Sequence, residues 1–495
     1  MISLPPKQWW WSSSLILILL TIILIAAEHT SRVIALPIKT TITTTTDFTP
    51  TQVHLAFTNS THPNALVISF HTKNYNKEWL GMPIVKYSAM DSTLSHHYEQ
   101  SAESSVFQYG NTQVTGYDFH VWIPNLKFST KYYYQCTFSQ MQNISSEIYN
   151  FYTKTDPKQA QHEVHTVIMY GDQGTTNSKN VIARTTEYIH SYFGNKENNN
   201  NLFVYHLGDI SYADDFAGVQ YQPIWNQYMD MMANIMPYVP YMVCVGNHEN
   251  GPQNKPYDDF ERGFMAYNHR FFMPGRNSSL IGHNMWHSFE NGLVTFVAID
   301  TETNFPHSFF PQFNFQNKID QLEWLSDTLS KIDRKKTPWV VVVGHRPIYS
   351  SQYIFSAANG SIIGESKILQ QAFEDILYKY QVDIAMFGHV HSYERTNPVY
   401  RTQVEPGTAN SNHFHNLRYT IHIVNGAGGN TEGLTPGKDF YLGQSWASKI
   451  FYQDEGYGIL KSRFDSNLNV YSLEFNYYAA KTNELVDSFT VTKNA

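Results

Sequence analysis

The chain has 495 residues, 15% of them aromatic and only 15% charged, with a formal net charge of −8. That length suffices for two or three domains around a large core, and the composition excludes a disordered or coiled-coil protein. The absence of basic runs excludes a nucleic-acid partner, and with two cysteines, Cys136 and Cys244, a disulfide framework is excluded as well.

Lys7 and three tryptophans precede a 13-residue apolar run from Leu15 to Ala27. A membrane span needs about 20 such residues, so residues 1–35 read as a secretory signal cleaved near Ala27 or Ala35. No second long apolar stretch follows, so no stable span is expected once the signal is removed. The expected destination is secreted or lysosomal. Residues 36–50 are Thr-rich and read as an extended linker. Sequons at Asn59, Asn143, Asn277 and Asn359 predict glycosylation.

Over residues 51–156 the signals are all β: Val53–Phe57, Ala65–His71, Tyr117–Ile123, Lys131–Phe138 and Ile148–Thr153, separated by Asn and Pro turns. Short strands so spaced predict a β-sandwich. Cys136 falls here and Cys244 in the next domain, so two separate buried thiols are expected.

From 160 to 400, strands alternate with helix-like segments at Val181–Phe193, Pro223–Ile235, Lys318–Ile332 and Lys367–Tyr380. Alternation of this kind predicts a layered α/β domain. Five apolar strands share one design, each ending in Gly and then in Asp, Asn or His. They run into Gly171-Asp172-Gln173-Gly174, Gly208-Asp209-Ile210-Ser211-Tyr212, Gly246-Asn247-His248-Glu249, Gly344-His345 and Gly388-His389-Val390-His391. Open α/β folds place their sites at such carboxyl ends. Together these ends offer two Asp, one Tyr, one Asn and four His, an N/O donor set for hard or borderline metals without a thiolate. In an extended chain, His389 and His391 would point to one side. The long Pro-containing connection over 250–286 is expected to shape access. In the tail, 415–495, Thr420–Gly429 and strands at Tyr457–Phe464, Leu468–Phe475 and Val486–Val491 come last, with His422 read as structural.

The series GDQG, GDISY, GNHE, VVGH and GHVH resembles the purple acid phosphatases of the metallophosphoesterase superfamily. Tyr212 carries the distinction, because many other superfamily members have D-x-H in the first motif, where residue 174 here is Gly. The resemblance implies an α/β plus all-β protein. An N-terminal fibronectin III-like β-sandwich would precede a layered αββα domain, with a binuclear metal centre at the strand ends, and the 415–495 strands would complete that domain. It implies Fe(III) on Asp172, Tyr212 and His391, a divalent Zn, Mn or Fe on Asn247, His345 and His389, and Asp209 bridging the two. A phenolate suits a hard trivalent ion. His248, with Asn247, would bind the phosphate, and His248 would help the leaving group.

The activity implied is an acid phosphatase that hydrolyses phosphate monoesters with a metal-bound hydroxide, acting on phosphorylated small molecules or phosphoproteins. A phosphodiesterase or nucleotide pyrophosphatase on the same centre is the alternative. A secreted binding glycoprotein with a vestigial site is a third reading, against which the full set of ligands argues. Smaller plant members carry a histidine pair soon after the VxxH ligand; here Ile354-Phe355 stand instead, which leaves the substrate contacts of that wall open. Glu394 and Arg395 are expected to support the ligands from outside. Oligomeric state has no signature in the sequence.

Overall fold

The computed structural model describes residues 45–101, 106–109, 116–195, 201–216, 220–252, 263–275, 284–313, 315, 320–352, 365–437, 445–447 and 451–495. The expected signal, most of the linker, the sequons at Asn277 and Asn359, and Ile354-Phe355 lie outside these residues. Asp47–Ala495 form one compact unit, and the fold is that of this unit.

Eight strands build the N-terminal sandwich: β1 (Thr51–Phe57), β2 (Leu66–Thr72), β3 (Pro83–Ser88), β4 (Tyr98–Ser101), β5 (Val106–Tyr109), β6 (Gly116–Ile123), β7 (Lys131–Phe138) and β8 (Tyr149–Tyr152). They form two four-stranded sheets in the orders β1-β2-β6-β5 and β4-β3-β7-β8. Three of them, β3 to β5, were not legible as strands. The sequence of β4, Tyr98-Glu99-Gln100-Ser101, carries little apolar alternation and is held by pairing to β3. Phe70, Phe119 and Phe138 meet between the sheets. The sandwich is joined closely to the α/β part of the chain. Leu55 N donates to Met236 O at 3.2 Å, His54 Nε2 lies 2.8 Å from Arg270 O, and the Phe57 and Phe203 rings pack edge-on.

The second part begins with β9 (His165–Tyr170), β10 (Leu202–His206), β11 (Tyr241–Val243), β12 (His287–Asn291), β13 (Val294–Ala298), β14 (Trp339–Val343), β15 (Ile384–Phe387) and β16 (Tyr393–Arg395). A short hairpin of β17 (Val399–Tyr400) and β18 (Gln403–Val404) comes next, then β19 (His413–His415), β20 (Ile421–Asn425) and β21 (Phe451–Tyr452). Three long strands close the chain: β22 (Gly456–Asp465), β23 (Val470–Ala479) and β24 (Leu485–Asn494). Two seven-stranded sheets result, ordered β11-β10-β9-β22-β23-β24-β19 and β12-β13-β14-β15-β20-β16-β21. Within them β9, β10 and β11 are parallel, as are β13, β14, β15 and β20.

Side-chain alternation explains the layering. Trp339, Val341 and Val343 of β14 join the large core with Phe203, Phe289 and Phe296, while Val340 and Val342 point the other way, into a second core. Leu325 and Leu329 of the helix Gln321–Ser330 cover that second face together with Phe373 and Leu377. The helix begins at the cap Asp320, whose side chain accepts from Leu322 N and Glu323 N. Two helices differ from expectation. The one read as continuous from Lys367 to Tyr380 is Glu365–Leu369, a π turn at Gln370–Glu374, then Asp375–Lys379. The one read to Ile235 ends at Met231 and gives way to hydrogen-bonded turns. Both cysteines are buried and free, and His422 is buried in β20 between the Tyr349 and Phe387 rings.

Candidate metal centre

Parallel strands that end together bring their following turns together, and the site is built from those turns. Beyond β9, β10 and β15 the backbone turns into the left-handed region at Asp172 (φ 59°), Asp209 (φ 50°), Tyr212 (φ 56°) and His389 (φ 68°). Non-glycine residues in that region cost about 1–3 kcal/mol each and persist where the surroundings dictate them. The glycines make room: a Cβ on Gly246 would run into Asp209 Oδ1 and the His345 ring, and one on Gly388 into Asp172 Oδ2.

These turns bring six of the seven expected residues together, and the seventh, Asn247, opens the turn whose His248 N donates to Asp209 Oδ1 at 2.9 Å. Asp172 Oδ1 accepts from the Tyr212 hydroxyl at 3.1 Å and lies 3.5 Å from His391 Nε2, which is itself 3.0 Å from that hydroxyl. Asp172 Oδ2 accepts from His389 N at 2.8 Å, which ties the first motif to the last. His345 Nε2 lies 2.8 Å from Asp209 Oδ2, and donor atoms of Asp209, His345 and His389 all lie within 4.8 Å of one another. The backs of two imidazoles are pinned. His345 Nδ1 donates to Leu207 O at 2.9 Å and His391 Nδ1 to Gly433 O at 2.7 Å, so each turns Nε2 inward as a lone-pair donor.

The extended geometry expected for His389 and His391 does not occur. β15 ends at Phe387, and the left-handed turn at His389 breaks the strand alternation. His391 faces Tyr212 and Asp172, whereas His389 faces His345 with ring centroids 5.1 Å apart. Nor is His248 in a strand: Asn247–Glu249 form a 3-10 turn.

Whether cations fit can be tested on unpaired atoms. Asn247 Oδ1 is buried and makes no hydrogen bond among the described residues, and the buried Asp209 Oδ2 and His345 Nε2, 2.8 Å apart, have only each other within hydrogen-bonding distance. Buried polar atoms left so are costly unless something else satisfies them. Electrostatics agree. Burial opposes a charge on His345, yet Asp209 and Asp172 raise its pKa to about 10. Burial opposes the charge on Asp209 too, but His345 and His248 hold it well below the ordinary carboxylate range. Burial and then Asp172 and Asp209 push the Tyr212 phenol far up, so only a strong Lewis acid would make it a phenolate. The pocket's field calls for positive charge, and the donor set fits two cations.

Several residues around this set were not foreseen. Asp214, in the turn after Tyr212, holds His248 Nδ1 at 2.8 Å, and the His248 ring lies 4.1 Å from that of Tyr212. His248 Nε2 then points toward Asp209 Oδ2 (3.8 Å) and Glu432 (3.7 Å), and Glu432 also lies 3.9 Å from His391. Burial raises Asp214 to about 6 even against the pull of His248. Burial disfavours His248 imidazolium, but Asp209 and Asp214 outweigh it and raise its pKa well above 6.5. Glu249 accepts from the backbone N–H of Asp209, Ile210 and Gly246, each at 2.8 Å, and so knots two ligand-bearing turns together. Two adjacent acids after Tyr212 were a visible signal for Asp214; Glu432 had none. Glu394 and Arg395 do not touch the ligands. Glu394 accepts from Ser350 and Ser351, and Arg395 pairs with Asp487 at 2.6 Å, so they hold the neighbouring wall and the sheet. Of the described sequons, Asn143 is exposed and Asn59 half-buried.

Comparison with known proteins accords with this geometry. Residues 50–153 match the purple acid phosphatase N-terminal domain, 162–393 the calcineurin-like phosphoesterases, and 419–488 the iron/zinc purple acid phosphatase-like protein C family. An acid phosphatase of Aspergillus ficuum is 28% identical over 68% of this chain and 70% of its own length. Among Arabidopsis thaliana relatives, purple acid phosphatase 21 is 30% identical over 84% of this chain and 79% of its own length. A probable inactive purple acid phosphatase 1 is 30% identical over 77% and 58%. The solved purple acid phosphatase PPD1 from yellow lupin (Lupinus luteus) seeds shares the fold, with a TM-score of 0.68 at 23% identity, covering 90% of this chain and 75% of that one. Sandwich, paired sheets and ligand-bearing turns together place the chain in the purple acid phosphatase family, as a metal-dependent phosphoric monoester hydrolase.

Proposed function

We propose that Asp172, Tyr212 and His391 hold Fe(III), that Asn247, His345 and His389 hold a divalent Zn, Mn or Fe, and that Asp209 is shared between them. The observation that supports this reading is a buried Asn247 Oδ1 with no hydrogen bond among the described residues, in the turn whose His248 N–H donates to Asp209 Oδ1, together with the buried Asp209 Oδ2–His345 Nε2 pair 2.8 Å apart. When bound, two such cations supply Lewis acidity that polarises a phosphoryl group and activates water. The chain's own residues do the rest. Asp214 accepts from His248 Nδ1–H and, with Asp209, favours the imidazolium, whose Nε2–H gives a proton to the departing oxygen. Asn247 and His248 orient the phosphate. Glu249 and the glycine turns hold the ligands at their separations.

The substrates in this reading are phosphate monoesters of small molecules or proteins. The chain acts as a secreted or lysosomal glycoprotein, carrying sugar at Asn59, Asn143, Asn277 and Asn359 after loss of residues 1–35. Residues 51–156, 160–400 and 415–495 serve as the sandwich, the catalytic domain and its completing strands.

Metal analysis with a visible spectrum tests the centre. Two metals per chain are expected, one of them iron, with a charge-transfer colour that Tyr212→Phe removes while iron stays. A colourless, iron-free and fully active protein would refute the Fe(III) assignment. Faster turnover of a diester than of the matched aryl monoester would move the substrate assignment to phosphodiesters.

A further inference from the structure

His389 differs from the other two histidine ligands in what stands at its second nitrogen. His345 and His391 each give an N–H to a backbone carbonyl, a partner that can only accept. His389 Nε2 instead lies 2.9 Å from two side chains of opposite character: the Glu365 carboxylate, which only accepts, and Arg346 Nη1, which only donates. Its Nδ1 makes no hydrogen bond among the described residues. The two neighbours demand different tautomers. An N–H given to Glu365 leaves the Nδ1 lone pair free for a cation. An Nε2 accepting from Arg346 puts the proton on Nδ1 and closes that nitrogen to any metal.

The surroundings decide between them. Arg346 is already bound twice, by Glu302 to Nε at 2.8 Å and by Glu365 to Nη1 at 2.5 Å, and its guanidinium lies over the Phe309 ring at 4.4 Å. One guanidinium against two carboxylates leaves an excess acceptor, and the nearest N–H to take it is that of His389. We propose that Glu365 is the positioning residue that keeps His389 in its Nδ1-donor tautomer, with Arg346 and Glu302 clamping the carboxylate in place. This rests on the reading of His389 as a ligand of the divalent cation. Backbone carbonyls hold the other two imidazoles by the fold itself. Here the chain uses a side chain, on the helix Glu365–Leu369, at the one histidine ligand set in a left-handed turn beyond the strand end.

The test compares purified full-length wild type, Glu365→Ala, Glu365→Gln and His389→Ala for metal content after dialysis against graded chelator, with the visible band and thermal midpoint recorded on each. Outer partners of ligating histidines are worth about 10–100-fold in metal affinity. Glu365→Ala is expected to weaken one of the two metals by that factor and leave the phenolate band, which belongs to the other cation, unchanged. Glu365→Gln keeps an acceptor oxygen and is expected to fall between it and wild type. A Glu365→Ala protein that holds both metals as wild type does overturns the inference. So does one that loses both together with a large drop in thermal midpoint, which would make Glu365 a folding residue only. If the alanine variant does not fold, Glu365→Gln decides, and parity with wild type again overturns the inference. A wild type that takes up fewer than two metals, or a His389→Ala that retains both, overturns the ligand reading beneath it.

Discussion

His248 is the one imidazole at the centre whose Nδ1 meets a side-chain carboxylate, that of Asp214, instead of a backbone carbonyl. Nδ1–H is given to Asp214, and Asp209 and Asp214 favour the imidazolium, so Nε2 carries the ring's second proton, directed toward Asp209 and Glu432. General-acid help is worth about 10²–10⁴-fold, and only where the departing oxygen needs the proton. An alkoxide needs it; a nitrophenolate hardly does. His248→Ala is therefore expected to cost alkyl phosphates at least about tenfold more in kcat/KM than activated aryl phosphates, with metal content near wild type. Asp214→Asn keeps the shape but loses the charge that favours the imidazolium, and should show the same selectivity at smaller size. Equal losses on both substrate classes would mean that His248 binds phosphate or steadies Asn247 instead.

The same division between contact and support recurs in the turns beyond the strands. A Cβ on Gly246 has no space, since it would meet Asp209 Oδ1 and the His345 ring. Gly246→Ala is expected to lower bound metal and activity together, in a metal titration and a turnover assay. Asp320→Ala, which removes the cap of the helix Gln321–Ser330 on the far side of the sheet, should lower stability by about 1 kcal/mol and leave kcat/KM alone. Full activity in the first variant, or lost activity in the second, would contradict the placement of the centre.

How far the turns could be read in advance depends on the same physics. The motifs were legible because each follows an apolar run and a glycine, while the choice of seven donors among their residues came from the resemblance. The backbone at Asp172, Asp209, Tyr212 and His389 was not, because left-handed φ is imposed by tertiary contacts that leave no residue-type signal at Asp, Tyr or His. Asp214 was visible only as one of two acids after Tyr212. Arg346 and Glu365 were out of reach, since their meeting at His389 joins three elements far apart in the chain. Sheet order was hidden for a related reason: β9 pairs with β22, nearly three hundred positions further on, and no local pattern encodes such a partner.

Across the whole molecule, packing on both faces of the sheets buries histidines that have no part in the centre. Burial pushes His422 down to about 3, between the Tyr349 and Phe387 rings, and His287 to about 3 in β12. In the unfolded chain both would titrate near the ordinary value, about 6.5. The unfolded state therefore binds more protons than the folded one between those values. The stability these sites leave intact above pH 6.5 is lost as pH falls through that window. At about 1.4 kcal/mol per unit, each could cost about 3 kcal/mol at pH 4, within the range an acid phosphatase is expected to meet. Replacing His422 by methionine, of similar volume and without a titrating group, should change the thermal midpoint little at pH 7.5. At pH 4 the variant should be more stable than wild type by up to about 3 kcal/mol. Thermal melts of both proteins at the two pH values decide the matter. If the variant and wild type lose midpoint in parallel on acidification, His422 does not govern acid lability, and the loss must be sought in the carboxylates that hold the centre and the sheets.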